Sequence, residues 1–177
     1  MSTAPNIVIV QDSREQRGYS ELFTAPCAIG CLPTGDYSIR GLESLVSIER
    51  KSLPDLLQSL TRERERFERE LYRGRALRFF AVIVECDASD ILQGRFGRFS
   101  SVNPVAIWES IAAFSVRYAP FIYAGDRDTG ARLCESLLMK FARECWLTAR
   151  ALDPGKLESH RVRHGLREGP LQQAAIL

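Results

Sequence analysis

Asp36, Glu49 and Lys51 form the pattern Asp-x12-Glu-x-Lys within residues 35–55, GDYSIRGLESLVSIERKSLPD. Residues 45–48 are mostly apolar and β-branched and read as a short strand. Alternate residues of a strand share a face, so Glu49 and Lys51 project together while Arg50 points the other way. The Gly35-Asp36 turn delivers a second acid to the same region. Carboxylates so placed suit a hard cation such as Mg²⁺, which takes one or two protein carboxylates and keeps sites for water and phosphate. Such a cation polarises a phosphoryl oxygen and lowers the pKa of bound water, and a lysine beside it orients that water or offsets phosphate charge. The pattern points to metal-dependent phosphodiester hydrolysis. An isolated Glu-x-Lys reads as a solvated strand end; the apolar strand before it, the upstream turn and the capped helix after it favour the metal site.

The surrounding elements must hold these groups in place. Residues 7–10 are a continuous β-branched run, suited to a strand buried on both faces, and they deliver Asp12 and Arg14 beyond its C-terminal end. Taken alone, Asp12 reads as a turn former. A strand around residues 27–32 is expected to pair with residues 45–48 as a hairpin carrying the acids, and Tyr37 and Ile39 alternate as a strand leading away from Asp36. Residues 52–73 predict one helix, with Ser52 as N-cap, Pro54 in the first turn and Asp55 where a helix start favours negative charge. Its apolar face is Leu53, Leu56, Leu57, Leu60, Phe67 and Leu71; Arg64 interrupts that face, and Glu68 follows one turn later.

Residues 79–86, FFAVIVEC, predict a central strand. Residues 87–103 read as a flexible loop around RFGRF, whose arginines and rings suit either contacts to a nucleic-acid strand or packing of the phenylalanines onto the core. A helix from Pro104 is expected to bury Val105, Ile107, Trp108, Ile111, Ala112, Ser115 and Val116. A short strand follows at residues 120–124. Asp126 then caps a last helix to about residue 149, with Leu133, Leu137, Leu138, Phe141 and Trp146 on its apolar side. The order gives an α/β fold, a mixed central β-sheet flanked by α-helices. Residues 1–149 read as one domain and 150–177 as a tail with room for a short helix.

At 177 residues, 45% hydrophobic and 26% charged, the chain is large enough for a real core. It has no apolar run long enough to span a membrane and no basic-then-apolar leader, so a cytosolic setting is expected. A net charge of +2 does not by itself imply a nucleic-acid partner. Charge is clustered, however: residues 62–78 hold seven arginines against four glutamates, either a solvated face or a track for a DNA backbone. The five cysteines read as reduced thiols. Cys27-x3-Cys31 and His160-x3-His164 have zinc-ligand spacing, but they stand far apart in the chain and a strand thiol with a solvated tail fits them better.

Gly35-Asp36-Tyr37 and the run IERKSLPDLLQSL at residues 48–60 resemble the nuclease domain of the XPF-type structure-specific endonucleases, within the PD-(D/E)XK nuclease group. The family signature, Gly-Asp followed by V/I-E-R-K-x-x-x-D-L, is matched at every fixed position. The resemblance extends upstream to Asp12-Ser13-Arg14-Glu15, similar to the family's D-x-R-E, and downstream to about Trp146. It implies a restriction-endonuclease-like nuclease core in which Asp12, Asp36 and Glu49 bind Mg²⁺, with Mn²⁺ able to substitute. Lys51 would position the attacking water, and Arg14, Arg50 and Arg64 would hold or balance phosphate. Arg64 would line the cleft with Glu68 near it, unless it merely leaves the apolar stripe to pair with Glu68. Asp55 would cap its helix or help to order Lys51.

The resemblance further implies DNA as partner and a homodimer or heterodimer face on the last two helices and their strand; no membrane and no nucleotide cofactor are expected. Segments similar to the tandem helix-hairpin-helix elements of many relatives are not found. The expected function is a metal-dependent DNA endonuclease acting on branched or flap DNA in repair or recombination, in the cytoplasm, nucleoid or nucleus. The alternative is a non-catalytic DNA-binding or dimerisation partner with the same fold; the intact Asp36, Glu49 and Lys51 favour the enzyme.

Overall fold

The computed structural model describes residues 6–99 and 101–151. The predicted tail beyond residue 151, with His160 and His164, lies outside the described residues. The apolar runs form strands β1 (Ile9–Asp12), β2 (Cys27–Gly30), β3 (Tyr37–Ile39), β4 (Val46–Ser52), β5 (Phe79–Glu85) and β6 (Phe121–Tyr123). The helices are α1 (Leu53–Leu60), α2 (Arg64–Gly74), α3 (Ala88–Leu92), α4 (Pro104–Arg117) and α5 (Arg127–Ala151). Among the described residues no helix is long and apolar enough to cross a membrane.

The six strands form one mixed sheet in the order β2-β1-β3-β4-β5-β6. Strands β1 and β2 are parallel, β3 is antiparallel to both β1 and β4, and β4, β5 and β6 run parallel. The expected hairpin of residues 27–32 with 45–48 is not formed: β2 pairs with β1 at the sheet edge, and β3 separates β1 from β4. The short β3, buried throughout, supplies the antiparallel partner that the apolar pattern had assigned to β2.

Strand β5 is the centre of the core, as its unbroken apolar run requires. Its Phe80, Val82 and Val84 pack with α1, α2, α3 and α4, while Ala81 and Ile83 face α5, Tyr19 and Tyr37. Each fully buried side chain of this size contributes about 1.5–3 kcal/mol. The RFGRF rings join the first of these clusters: Phe96 is buried and Phe99 packs against it, so this segment folds onto the core. Part of the predicted loop is helical, because Asp87 and Asp90 form a capping box at the start of α3.

The predicted helix at 52–73 is two helices. Thr61 turns its hydroxyl onto the Leu57 carbonyl at 2.6 Å, and the amides of Thr61 and Glu63 both donate to the Gln58 carbonyl. This closes α1, and α2 restarts with Phe67, Leu71 and Gly74 as its buried face. The break resets the helical phase between α1 and α2. Helix α4 likewise buries Ile107, Ile111 and Phe114 and leaves the expected core residues Val105 and Val116 exposed. In α5 the buried face is centred on Ala131, Cys134, Glu135 and Leu138, with Leu133, Leu137 and Phe141 at its margin.

Glu135 is an acid buried by design of its contacts. Its carboxylate accepts from the Thr24 amide and hydroxyl and from the Ala25 amide at 2.6–3.1 Å, pinning the turn before β2 to α5. Burial alone would raise its pKa, but those three donors hold it below the ordinary glutamate value. Glu135→Ala would strand two amides and is expected to cost about 2–3 kcal/mol, measurable as a lower urea midpoint. A midpoint unchanged from wild type would show that the turn does not depend on Glu135.

Candidate active site

The end of β4 and the Gly35-Asp36 turn meet because the sheet continues one residue past β3. The Asp36 amide donates to the Ile48 carbonyl at 2.8 Å, and the Asp36 carbonyl accepts from the Asp12 amide at 2.8 Å. Gly35 has φ 74°, and a Cβ there would lie 2.1 Å from the Ser47 hydroxyl, so the turn that presents Asp36 requires glycine. The Asp36 carboxylate then accepts from the Arg50 amide at 2.7 Å.

Alternation along β4 sends Ser47, Glu49 and Lys51 to one face and Ile48 and Arg50 to the other. Lys51 donates to Glu49 Oε1, and its ammonium lies 4.9 Å from the centre of the Phe67 ring of α2. Glu49 Oε2 is buried and has no hydrogen-bond partner. Asp36, Glu49 and Lys51 line an open cleft of about 320 Å³ with Glu15, Gln16, Arg17, Arg50, Asp55, Gln58, Ser59, Glu63 and Arg66. Burial pushes the Asp36 carboxyl up to about 7, against the pull of the Arg50 amide and Lys51. Burial also pushes Glu49 well above the usual carboxylate range, against the charge of Lys51. For Lys51, burial works downward but is outweighed by the charge and hydrogen bond of Glu49, so its pKa is raised. An unpaired carboxylate oxygen beside a second desolvated carboxylate is a donor set compatible with a hard cation.

The ERCC4 domain family profile matches residues 11–136, well over half of the chain. The chain belongs to the ERCC4 domain family. Its fold is similar to that of XPF from Aeropyrum pernix, with a TM-score of 0.60 and 23% identity over 86% of this chain and 73% of that one. It is also similar to the structure of XPF from Aeropyrum pernix in complex with DNA, with a TM-score of 0.56 and 21% identity over 84% of this chain and 68% of that one. No curated protein sequence matches the chain.

Several side chains singled out by sequence lie away from the cleft of this ERCC4 domain. Asp12 is buried and fully engaged: Oδ1 takes the Arg14 amide and Nε, and Oδ2 takes Arg14 Nη2 and the Leu32 amide. Burial would raise its pKa, but Arg14 and the Leu32 amide hold it below the ordinary value. Asp12 therefore ties β1 to the loop after β2 and does not join Asp36 and Glu49; among the described residues no group of three metal-ligating side chains occurs. Arg14 makes the same contact and donates to the Leu32 carbonyl, with most of its side chain exposed.

Arg64 points to α4, where it donates to the Ser110 hydroxyl at 2.9 Å and sits 4.7 Å from the centre of the Phe114 ring. Glu68 accepts from the Tyr118 hydroxyl at 2.6 Å and from Arg117 at 3.2 Å. Arg64 shares the face of Phe67 and Leu71, which packs on α4, whereas Arg66 on the adjoining face lines the cleft. Asp55 lines the cleft and accepts from the Ser52 hydroxyl at 2.6 Å, while its own amide donates back to Ser52, so it completes the start of α1.

Arg50 contributes its amide to Asp36 and its guanidinium elsewhere. The guanidinium makes two bonds to Glu85 at 2.7 and 2.6 Å, lies 3.5 Å from Glu15 and stands over the Tyr19 ring. Sequence reasoning assigned no role to Glu85 and missed Glu15, Arg17, Gln58 and Arg66. Glu15 stood in the D-x-R-E match; Arg66 could be found only by knowing which face of α2 borders the cleft.

Proposed function

We propose that this ERCC4 domain is a divalent-metal-dependent DNA endonuclease, with Mg²⁺ as the natural cation and Mn²⁺ a substitute. The observation that carries the reading is the unpartnered, buried Glu49 Oε2 in the same cleft as Asp36 and Lys51. Asp36 and Glu49 would hold the cation, two carboxylates being what Mg²⁺ commonly takes beside phosphate and water. When bound, it would supply Lewis-acid polarisation of the scissile phosphate and a more acidic water. Lys51, hydrogen-bonded to Glu49 and steadied on Phe67, is placed to orient a water and offset phosphate charge. Arg17 and Arg66, which line the cleft, are the arginines placed to meet substrate phosphates there.

Branched or flap DNA in repair or recombination is the proposed substrate class, met in the cytoplasm, nucleoid or nucleus. The reading also gives the chain a homodimer or heterodimer partner at α4, β6 and α5, where Val105, Val116 and Leu147 are exposed. The test is cleavage of labelled single-stranded, duplex, flap and four-way DNA with Mg²⁺, Mn²⁺ or chelator, wild type against Asp36→Asn. Cutting that needs the metal and vanishes in the variant is expected; cutting that survives either chelator or the variant sinks the assignment.

The raised carboxyls make a second prediction. Asp36 and Glu49 both sit above their ordinary values of 3.8 and 4.5, so the stability they lend is fully present below those values and is lost as pH rises through their raised values, about 7 for Asp36. Asp12, held below 3.8, has the opposite sign and bears only on the acid limb beneath that value. The metal-free domain should melt several degrees higher near pH 5.5 than near pH 8. Mg²⁺ should raise Tm near pH 8 and barely near pH 5.5, since binding requires deprotonated ligands. Asp36→Asn should flatten both responses, and an equal Mg²⁺ shift at both pH values would argue against these carboxylates as its ligands.

A further inference from the structure

Arg66, Arg69 and Arg73 recur on α2 at three- and four-residue spacing and are all exposed, as is Arg62 in the turn before it. That spacing sets them along one outer stripe of the helix. Three adjoining hollows follow it. The cleft ends on Glu63 and Arg66; a second hollow of about 570 Å³ shares those two residues and adds Arg62, Glu65 and Arg69. A third, of about 530 Å³, shares Glu65 and Arg69 and adds Tyr72, Arg73 and Tyr118. A groove thus runs from the acids of the cleft around α2 to Tyr118.

Its acids are already taken. Glu63 is paired with Arg66, Glu65 lies 3.9 Å from Arg69, and Glu68 is held by Tyr118 and Arg117. Among the described residues Arg62 and Arg73 have no acidic partner within 4.0 Å. Tyr72 is 64% exposed at the far end, with the Arg75 guanidinium 5.9 Å from its ring centre. Guanidinium groups lining a groove beside an open aromatic face match a single nucleic-acid strand, whose bases have free faces for stacking, whereas duplex bases are stacked on each other.

We infer that this groove is a track for a single-stranded DNA arm leaving the metal cleft, with Arg62, Arg69 and Arg73 on its phosphates and Tyr72 on a base. The inference rests on the nuclease reading for its substrate but is tested without turnover. The experiment is fluorescence anisotropy in chelator, across a salt series, with a labelled single strand of about 15 nucleotides and a duplex of equal length. Arg69→Ala/Arg73→Ala should weaken single-strand binding about tenfold and flatten the log–log salt dependence by about 1.4. Tyr72→Ala should weaken it about fivefold with the salt dependence unchanged. Arg132→Ala/Arg143→Ala, exposed on α5 across the sheet, should bind as wild type. Arginine variants within twofold of wild type, an equal loss on duplex, or an equal loss in the α5 control would each overturn the track. Binding that depends on the track in a chain that never cleaves would instead overturn the nuclease reading alone.

Discussion

Glu49→Gln is expected to abolish DNA cleavage and leave the domain folded. The change keeps the size of the side chain and an amide oxygen that can accept from Lys51, so the contact to the ammonium survives. What disappears is a carboxylate whose second oxygen has no protein partner. Because burial raises Glu49 well above the ordinary range, its charge is costly without a cation, and removing it should not lower Tm near neutral pH. Turnover should fall by about 10²–10³-fold or more, the scale seen when a preorganised charge on the reacting group is lost.

Lys51→Met supplies the contrast. It should lose turnover on a similar scale while still showing a Mg²⁺-dependent rise in Tm near pH 8, because Asp36 and Glu49 remain. Equal loss of metal response and turnover in Lys51→Met would remove the water-positioning role. Persistent cutting by Glu49→Gln would remove the metal assignment with it.

How far these residues could be placed from sequence followed from what kind of order each depends on. Glu49 and Lys51 share a face because strand alternation is local, and the unbroken apolar run of β5 made it central whatever its neighbours were. The Asp36 turn was legible because Gly35 allows a positive φ that other residues rarely adopt. Strand pairing was not legible: β2 and β3 are both short, and which of them lies beside β4 is decided by tertiary packing around Tyr37, not by either pattern. Arg64 and Arg66 differ by two residues in an arginine-rich run. Arg64 shares the face of Phe67 and Leu71 that packs on α4, and which face of α2 borders the cleft is set by tertiary packing. Asp12 was a metal ligand only by the family resemblance, and Arg14 two residues on folds back onto its carboxylate, a contact the spacing alone leaves open.

Arg50→Met is expected to be the most destabilising single change at the site, by about 3–5 kcal/mol, because it leaves Glu85 charged and buried without its partner. The pair is two-pronged and shielded, with side-chain exposures of 5% and 8%, and Glu15 at 3.5 Å depends on the same guanidinium. In a domain of this size that loss corresponds to a fall in Tm of roughly 10 °C. Glu85→Met should cost less than Arg50→Met, since Arg50 would keep Glu15 and the Tyr19 ring as neighbours. The double variant Arg50→Met/Glu85→Met should recover much of the loss, as apolar replacement of a buried ion pair commonly does. The coupling energy from the double-mutant cycle should then exceed about 2 kcal/mol, well above the 0.2–1 kcal/mol typical of exposed pairs. A coupling within the exposed range would mean that Arg50 is not anchored on Glu85, and its guanidinium would become available to the substrate. A large coupling assigns it instead to holding the Glu15–Arg17 rim against β5, while its amide, which every variant retains, continues to fix Asp36.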